Sequence, residues 1–235
     1  MHLDGTWPGS VTIRRGWSRA QARPWNDDGP AAAIRLVRGS SDFLGAAARR
    51  LLEVGSTDVY SPALYPASTR VWDDAGFQRF HELAVMERDL DHTLEEPAHP
   101  IGLVPSPDWD ALAVLDREAF SGFWRMGALG LAEAMIATPR SALFQIEGDP
   151  GPIGYAIVGS QFTTSYLQRV AVVPARRGEG LGTALIQGCL LWARARGARS
   201  MVLNVRPDND RAAGIYRREG FRDTGVALQV LRFEA

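Results

Sequence analysis

The 235-residue chain has no lysine; its basic side chains other than histidine are all arginine. So broad a bias reads as a trait of genome composition and marks no site. Cysteine is nearly absent too. The lone Cys189 excludes an internal disulfide and fits a reducing compartment. It falls in an apolar helical pattern, where a thiol packs as a small hydrophobe. Net charge is almost absent, at a formal -1, so no global field draws the chain to nucleic acid or to an anionic membrane. No apolar run is long enough to cross a bilayer, and "MHLDGTWPGS" has no basic region leading into an apolar one. A soluble, cytoplasmic protein is expected, without nucleic-acid or membrane partners; a homodimer stays open.

What is present is a large apolar fraction, 46%, enough for a packed core. In the C-terminal part, "DWDALAVLDREAF" and "GALGLAEAMI" carry helical spacing and flank the aromatic stretch "FSGFWRM". "ALFQIEG" and "PIGYAIVGSQ" surround a "DPG" turn, a hairpin signal. "YLQRVAVV" reads as a third strand and "TALIQGCLLWARAR" as a helix stopped by Gly197. In that helix Leu185, Cys189 and Trp192 share one face, Arg194 lies opposite, and Arg196 can extend over Trp192. "SMVLNV", "DRAAGIYRRE" and "VALQVLRF" follow as strand, helix and strand. The order α-α-β-β-β-α-β-α-β implies a mixed, mostly antiparallel sheet flanked by helices, an α/β fold of the α+β kind.

The segment from Phe43 to Leu90 repeats the parts of the C-terminal segment in the same order: helix, glycine stop, strand, proline-bearing turn, helix, Gly-Phe, strand. Gly55 corresponds to Gly197, Pro62 to Pro207, and Gly76-Phe77 to Gly220-Phe221. An internal repeat is the expected cause. The polar, proline-bearing "TLEEPAHP" between the halves reads as a linker, which divides the chain into 1–98 and 99–235.

"VVPARRGEGLGTALI" carries the chemistry. A glycine-rich turn that opens a helix offers backbone N–H groups and a positive helix end to an anion. Gly178, Gly180 and Gly182 lack the β-carbons that would hold a pyrophosphate away, and Arg176 or Arg177 can add a charge-assisted contact. A dinucleotide fingerprint is nearly matched. However, Thr183 stands at its third glycine, and Asn204 ends the next strand where an acidic residue would hold a ribose.

"VVPARRGEGLG" resembles the acyl-CoA pyrophosphate loop of the GNAT superfamily of N-acyltransferases, and "LNVRPDNDRAAGIYRREGF" is similar to that family's second signature. Within the superfamily the latter is similar to acetyltransferases of ribosomal-protein N-termini. The likeness extends over about residues 100 to 235. It implies an acetyl-CoA-dependent N-acetyltransferase with a GNAT fold at the C-terminus, and a partial, decayed GNAT-like copy before it. The resemblance puts the pantetheine arm along the main chain of Val170, Ala171 and Val172, with the Val172 N–H as oxyanion donor. The pyrophosphate would meet Arg177 and the turn Gly178, Glu179, Gly180, Leu181, Gly182 and Thr183. Asn209 would hold pantetheine, or act as an ordinary N-cap, or both. Tyr216, seven residues on, would protonate the departing thiolate as general acid. No metal is implied.

Three departures shape the expected acceptor. Asn204 stands where the ribosomal-protein enzymes carry a glutamate base, and an amide cannot take a proton from an ammonium. One strand follows Phe221, leaving no room for a peptide-gripping hairpin, so the acceptor is expected to be a small-molecule primary amine. Phe120, Phe123 and Trp124 would give its pocket an apolar, flat wall, unless they are simply core. The N-terminal copy has no pyrophosphate loop in "RLVRGSSDFLG" and carries Trp72 at the tyrosine position, so it should not bind CoA. An acyl-CoA sensor or assembly module without turnover, a protein N-terminal acetyltransferase and a nucleotide-binding regulator are the competing readings.

Overall fold

The structure is a computed structural model that describes residues 1–234. Its elements are β1 (His2–Asp4), β2 (Val11–Arg15), β3 (Ser18–Pro24), β4 (Ala32–Arg38), α1 (Ser41–Glu53), β5 (Val59–Tyr60), α2 (Arg70–Asp73) and β6 (Phe77–Asp89). There follow β7 (Gly102–Leu103), α3 (Trp109–Ala119), α4 (Ala128–Ile136), β8 (Arg140–Glu147), β9 (Pro152–Gln161), β10 (Thr164–Val172), α5 (Leu181–Ala195), β11 (Ser200–Val205), α6 (Asp210–Arg218) and β12 (Arg222–Phe233). By contacts the chain forms two compact units, Met1–Ala84 together with the chain from Gly225, and Val85–Thr224.

In the first unit the strand order is β1-β2-β3-β4-β5-β12-β6, with β4 and β5 parallel across the α1 crossover. The short strands of residues 2–38 escaped the sequence reading. They are rich in Ala and Arg, which carry little strand signal. The core gathers Ile13, Ile34, Phe43, Leu44 and Leu51 with Trp72, Phe77 and Leu231. Burying such side chains contributes about 1.5–3 kcal/mol each.

In the second unit the order is β6-β11-β10-β9-β8-β7, antiparallel through β10, β9, β8 and β7, with β10 and β11 parallel across α5. The predicted helices and strands of this part are all present, with α5 starting at Leu181 and β12 at Arg222, each earlier than the pattern indicated. Leu112, Leu115, Leu131 and Leu143 pack with Tyr155 and Ile157 on one side of the strands. α5 is more enclosed than a one-faced helix: Ala184, Ile186, Gly188 and Leu190 are buried besides Leu185, Cys189 and Trp192. A side chain at Gly188 would collide with Ile101, which lies over that helix. Arg194 stays exposed, and the Arg196 guanidinium sits 4.2 Å from the Trp192 ring centroid. The segment 93–100 packs within this unit, with Leu94 buried and His99 beside Gly180.

The two segments matched in the sequence end their helices alike. After α1, the Gly55 N–H donates to Leu52 O and the Ser56 N–H to Leu51 O. After α5, the Gly197 N–H donates to Arg194 O and the Ala198 N–H to Ala193 O. Both glycines take positive φ, 105° and 82°, the left-handed stop that L side chains resist. Phe77 and Phe221 are both buried, and each meets the ring five residues earlier, Trp72 at 5.0 Å and Tyr216 at 5.9 Å between centroids.

Candidate active site

β10 and β11 pair only at Thr164–Ser200, Ser165–Met201 and Tyr166–Val202. Beyond that point β10 runs on to Val172 and β11 to Val205 without pairing. The cause lies in the ladder with β9, where the register shifts between Leu167 and Arg169. A bulge there leaves Gln168 unmatched and bends β10 away from its parallel neighbour. The result is a gap between two strands of one sheet, edged by unpaired main chain.

Alternation along β10 decides which peptide groups face the gap. The Val173 N–H donates to Ile153 O at 3.0 Å, so it points toward β9. Successive residues of an antiparallel strand turn their polar groups to opposite edges. The N–H groups of Val172 and Val170 therefore face the gap, and that of Ala171 faces β9. Ala171 lines the space without offering it a main-chain donor.

The gap opens into a cavity of about 480 Å³. Val170, Ala171, Val172, Arg177, Gly178, Gly180, Leu181, Gly182, Thr183, Asn209 and Tyr216 all line it. Of the residues expected to hold the cofactor, Glu179 does not. Its carboxylate turns to Arg176, with Nε–Oε1 at 2.8 Å and Nη2–Oε2 at 2.7 Å. Phe120 and Ser121 reach the wall from the aromatic stretch, whereas Phe123 and Trp124 do not. The Trp124 ring instead lies 5.8 Å from the Arg206 guanidinium. Asn204 is exposed and lies outside the wall.

The turn from Val173 to Gly180 delivers α5 to the cavity by its N-terminus. Gly180 occupies the N-cap in left-handed geometry, φ 84°, and brings no side-chain acceptor. The first amides of a helix have no partner within it, so those of Leu181, Gly182 and Thr183 are left for an anion. In the first unit the corresponding connection is only Gly39-Ser40, and the Ser40 hydroxyl accepts the Phe43 N–H at 3.3 Å. The cap occupies the place an anion would take. Arg177 Nη2 donates to Ala119 O at 2.6 Å, tying the turn to the end of α3.

α6 supplies the other wall. The Asn209 Oδ1 accepts the Ala212 N–H at 3.2 Å, so it is an N-cap as well as a lining residue. Tyr216 is half-buried, and burial pushes its phenol up to about 12 against a downward pull from Arg169. At neutral pH it is a proton donor. Burial also pushes the Cys189 thiol up, which leaves it inert as a nucleophile. The lining carries the arginines Arg176, Arg177, Arg206, Arg211 and Arg218 against one carboxylate, Asp208, which Arg206 holds at 2.7 Å. So basic a wall fits a ligand with several phosphate charges.

Sequence reasoning passed over Asp116, which is fully buried and binds Arg169 through two bonds of 2.7 Å. Its side-chain partners stand 39 and 53 residues away, and nothing local marks it. Arg206 and Asp208, by contrast, lie inside the quoted second signature and were within reach.

Comparison with known proteins agrees with this geometry. The mycothiol acetyltransferase of Amycolatopsis mediterranei is 28% identical over 190 residues, covering 69% of this chain and 61% of that protein. The mycothiol acetyltransferase of Streptomyces scabiei is 29% identical over 224 residues, covering 83% and 70%. The chain spans 61% to 63% of the first curated relatives it matches. A tandem GNAT protein from the clavulanic acid biosynthesis pathway shares the fold, with a TM-score of 0.63 at 17% identity over 98% of this chain and 82% of that one. The family model described as "Acetyltransferase (GNAT) family" matches residues 109–221. That stretch, which holds the splayed strand, the glycine turn and α6's cavity wall, is therefore similar to the acetyltransferase (GNAT) family.

Proposed function

We propose that the protein transfers an acetyl group from acetyl-CoA to the primary amine of a small molecule, by direct attack within a ternary complex. The observation that carries this reading is the bulge-made gap, which presents the Val172 N–H and the uncapped α5 N-terminus to one cavity. The donor set suits the ligand: gap-facing amides of Val170 and Val172 for pantetheine, helix amides and arginines for pyrophosphate. Acetyl-CoA supplies the activated acyl group as cosubstrate.

In the proposed mechanism the Val172 N–H stabilises the negative charge that develops on the acyl oxygen as the amine nitrogen attacks the carbonyl carbon. As the carbon–sulfur bond breaks, Tyr216 donates its proton to the leaving thiolate. Asn204 takes no proton, and the cavity's carboxylate is engaged by Arg206. The acceptor therefore enters as a neutral amine, and the proton left on the product nitrogen returns through water to the Tyr216 phenolate, which restores the acid.

Within this reading the chain comprises a degenerate partial GNAT-like domain, 1–98, and a catalytic domain, 99–235. The contact units divide elsewhere because β12 joins the first unit and the end of β6 the second. The missing base favours one other reading, an acyl-CoA-binding module without turnover. Acetyl-CoA consumption with a panel of small amines, amino acids, aminoglycosides and N-terminal peptides tests the proposal. Thiol release with a small amine supports it, and tight acetyl-CoA binding without release to any acceptor supports the module.

A further inference from the structure

The Asp116 carboxylate accepts four hydrogen bonds. Oδ2 takes Arg169 Nε at 2.7 Å and Tyr155 Oη at 2.5 Å; Oδ1 takes Arg169 Nη2 at 2.7 Å and the Met126 N–H at 2.6 Å. Arg169 Nη2 also donates to Trp124 O at 2.8 Å, and its guanidinium lies 3.6 Å from the Phe120 ring centroid. Although burial opposes the charge on Arg169, its bonds to Asp116 and Tyr155 hold the guanidinium above its ordinary range, so it stays charged.

A buried ion pair adds little net stability over an apolar set of the same shape, because desolvation offsets the Coulomb gain. What an apolar set cannot do is hold peptide groups. Two of these bonds go to the main chain at 124 and 126, in the connection between α3 and α4, which holds no more than a short 3-10 turn. The network thus spends its hydrogen bonds on the shape of that connection. The connection gives the cavity Phe120 and Ser121 and sets Trp124 against Arg206. β10, the glycine turn and α6 carry the contacts proposed for acetyl-CoA, which leaves this wall for the acceptor.

We infer that Asp116 and Arg169 are positioning residues that preset an aromatic acceptor wall, and that the acceptor amine is carried on a ring that stacks there. The inference rests on the acetyltransferase reading. With Arg169 covering one face of Phe120, the ring has a fixed orientation toward an incoming ligand. Ring stacking of this kind is worth about tenfold in affinity.

The test compares phenethylamine with n-butylamine as acceptors for the full chain and its Asp116→Asn and Phe120→Ala variants, with acetyl-CoA affinity measured by calorimetry. Asparagine keeps the shape of aspartate but replaces one acceptor oxygen by a donor, so the two-pronged Arg169 contact is lost. The expected result is a KM for phenethylamine about tenfold below that for butylamine in the wild type. Both variants lose that preference while acetyl-CoA affinity stays within twofold. Amide exchange in 120–127 should quicken at least tenfold in Asp116→Asn, with 178–184 unchanged. The inference is overturned if the wild type shows no preference for the ring, or transfers to neither amine. It is also overturned if Asp116→Asn slows both amines alike, which is the pattern of general loosening. A wild type that fails to bind acetyl-CoA would defeat the acetyltransferase reading itself.

Discussion

Tyr216 carries the most specific chemical assignment, and its surroundings state its protonation. Burial raises the phenol to about 12, so it is protonated throughout the neutral and mildly alkaline range. Tyr216→Phe should lower turnover by roughly ten- to a thousandfold and leave acetyl-CoA affinity nearly intact, the signature of a lost general acid. Undiminished turnover in that variant, measured on a confirmed acceptor, contradicts the role. A second expectation concerns the base that Asn204 does not provide. Below the acceptor's own pKa, kcat/KM should rise about tenfold per pH unit and level off at that pKa, because only the neutral amine attacks. A plateau that begins instead near the pKa of a carboxylate would reveal a protein base. At this scale the sequence was legible where residues sit in a contiguous signature. Asp116 was not, because a carboxylate in a helical run looks solvent-facing until distant strands supply Arg169 and Tyr155.

A strand, a turn and a helix follow one another in both halves of the chain, and the two differ in what the helix start is given. α5 starts at a glycine without a cap side chain, while α1 starts at Ser40, whose hydroxyl holds the Phe43 N–H. Ser40→Ala should cost about 0.5–2 kcal/mol of stability and leave acetyl-CoA affinity untouched. Denaturant midpoints and calorimetry on the same sample check both halves of that statement. α3 was legible because its apolar spacing serves one core face, and α5 and β9 because each is a long apolar run that starts after a glycine-bearing turn. The four strands before α1 were not, since short stretches like "SRAQARP" bury alanines between polar residues without a strong strand signature. The gap between β10 and β11 was hidden for another reason: a one-residue bulge is a property of pairing, and a single strand does not record its partner's register.

Over the whole chain, sequence order and contact order part at β6 and β12. The final strand packs by contact with residues 1–84, where Leu231 is fully buried in the first unit's core. Leu231→Ala, a few residues from the C-terminus, should therefore cost about 2–5 kcal/mol in urea denaturation, as a deep cavity does. A loss below about 1 kcal/mol would mean that this strand is dispensable to the core. The central claim is that one cavity, in the second unit, takes acetyl-CoA and that the first unit takes none. Gly182 offers the most direct test, because nothing in the protein requires that glycine: a β-carbon there meets only Val172 Cγ2, at an ordinary 3.9 Å. Calorimetric titration of acetyl-CoA into the wild type and Gly182→Val is the decisive measurement. The account predicts one site per chain in the wild type and no measurable binding in a variant that melts at an unchanged temperature. Two sites per chain, or a Gly182→Val protein that binds as tightly as the wild type, would contradict it.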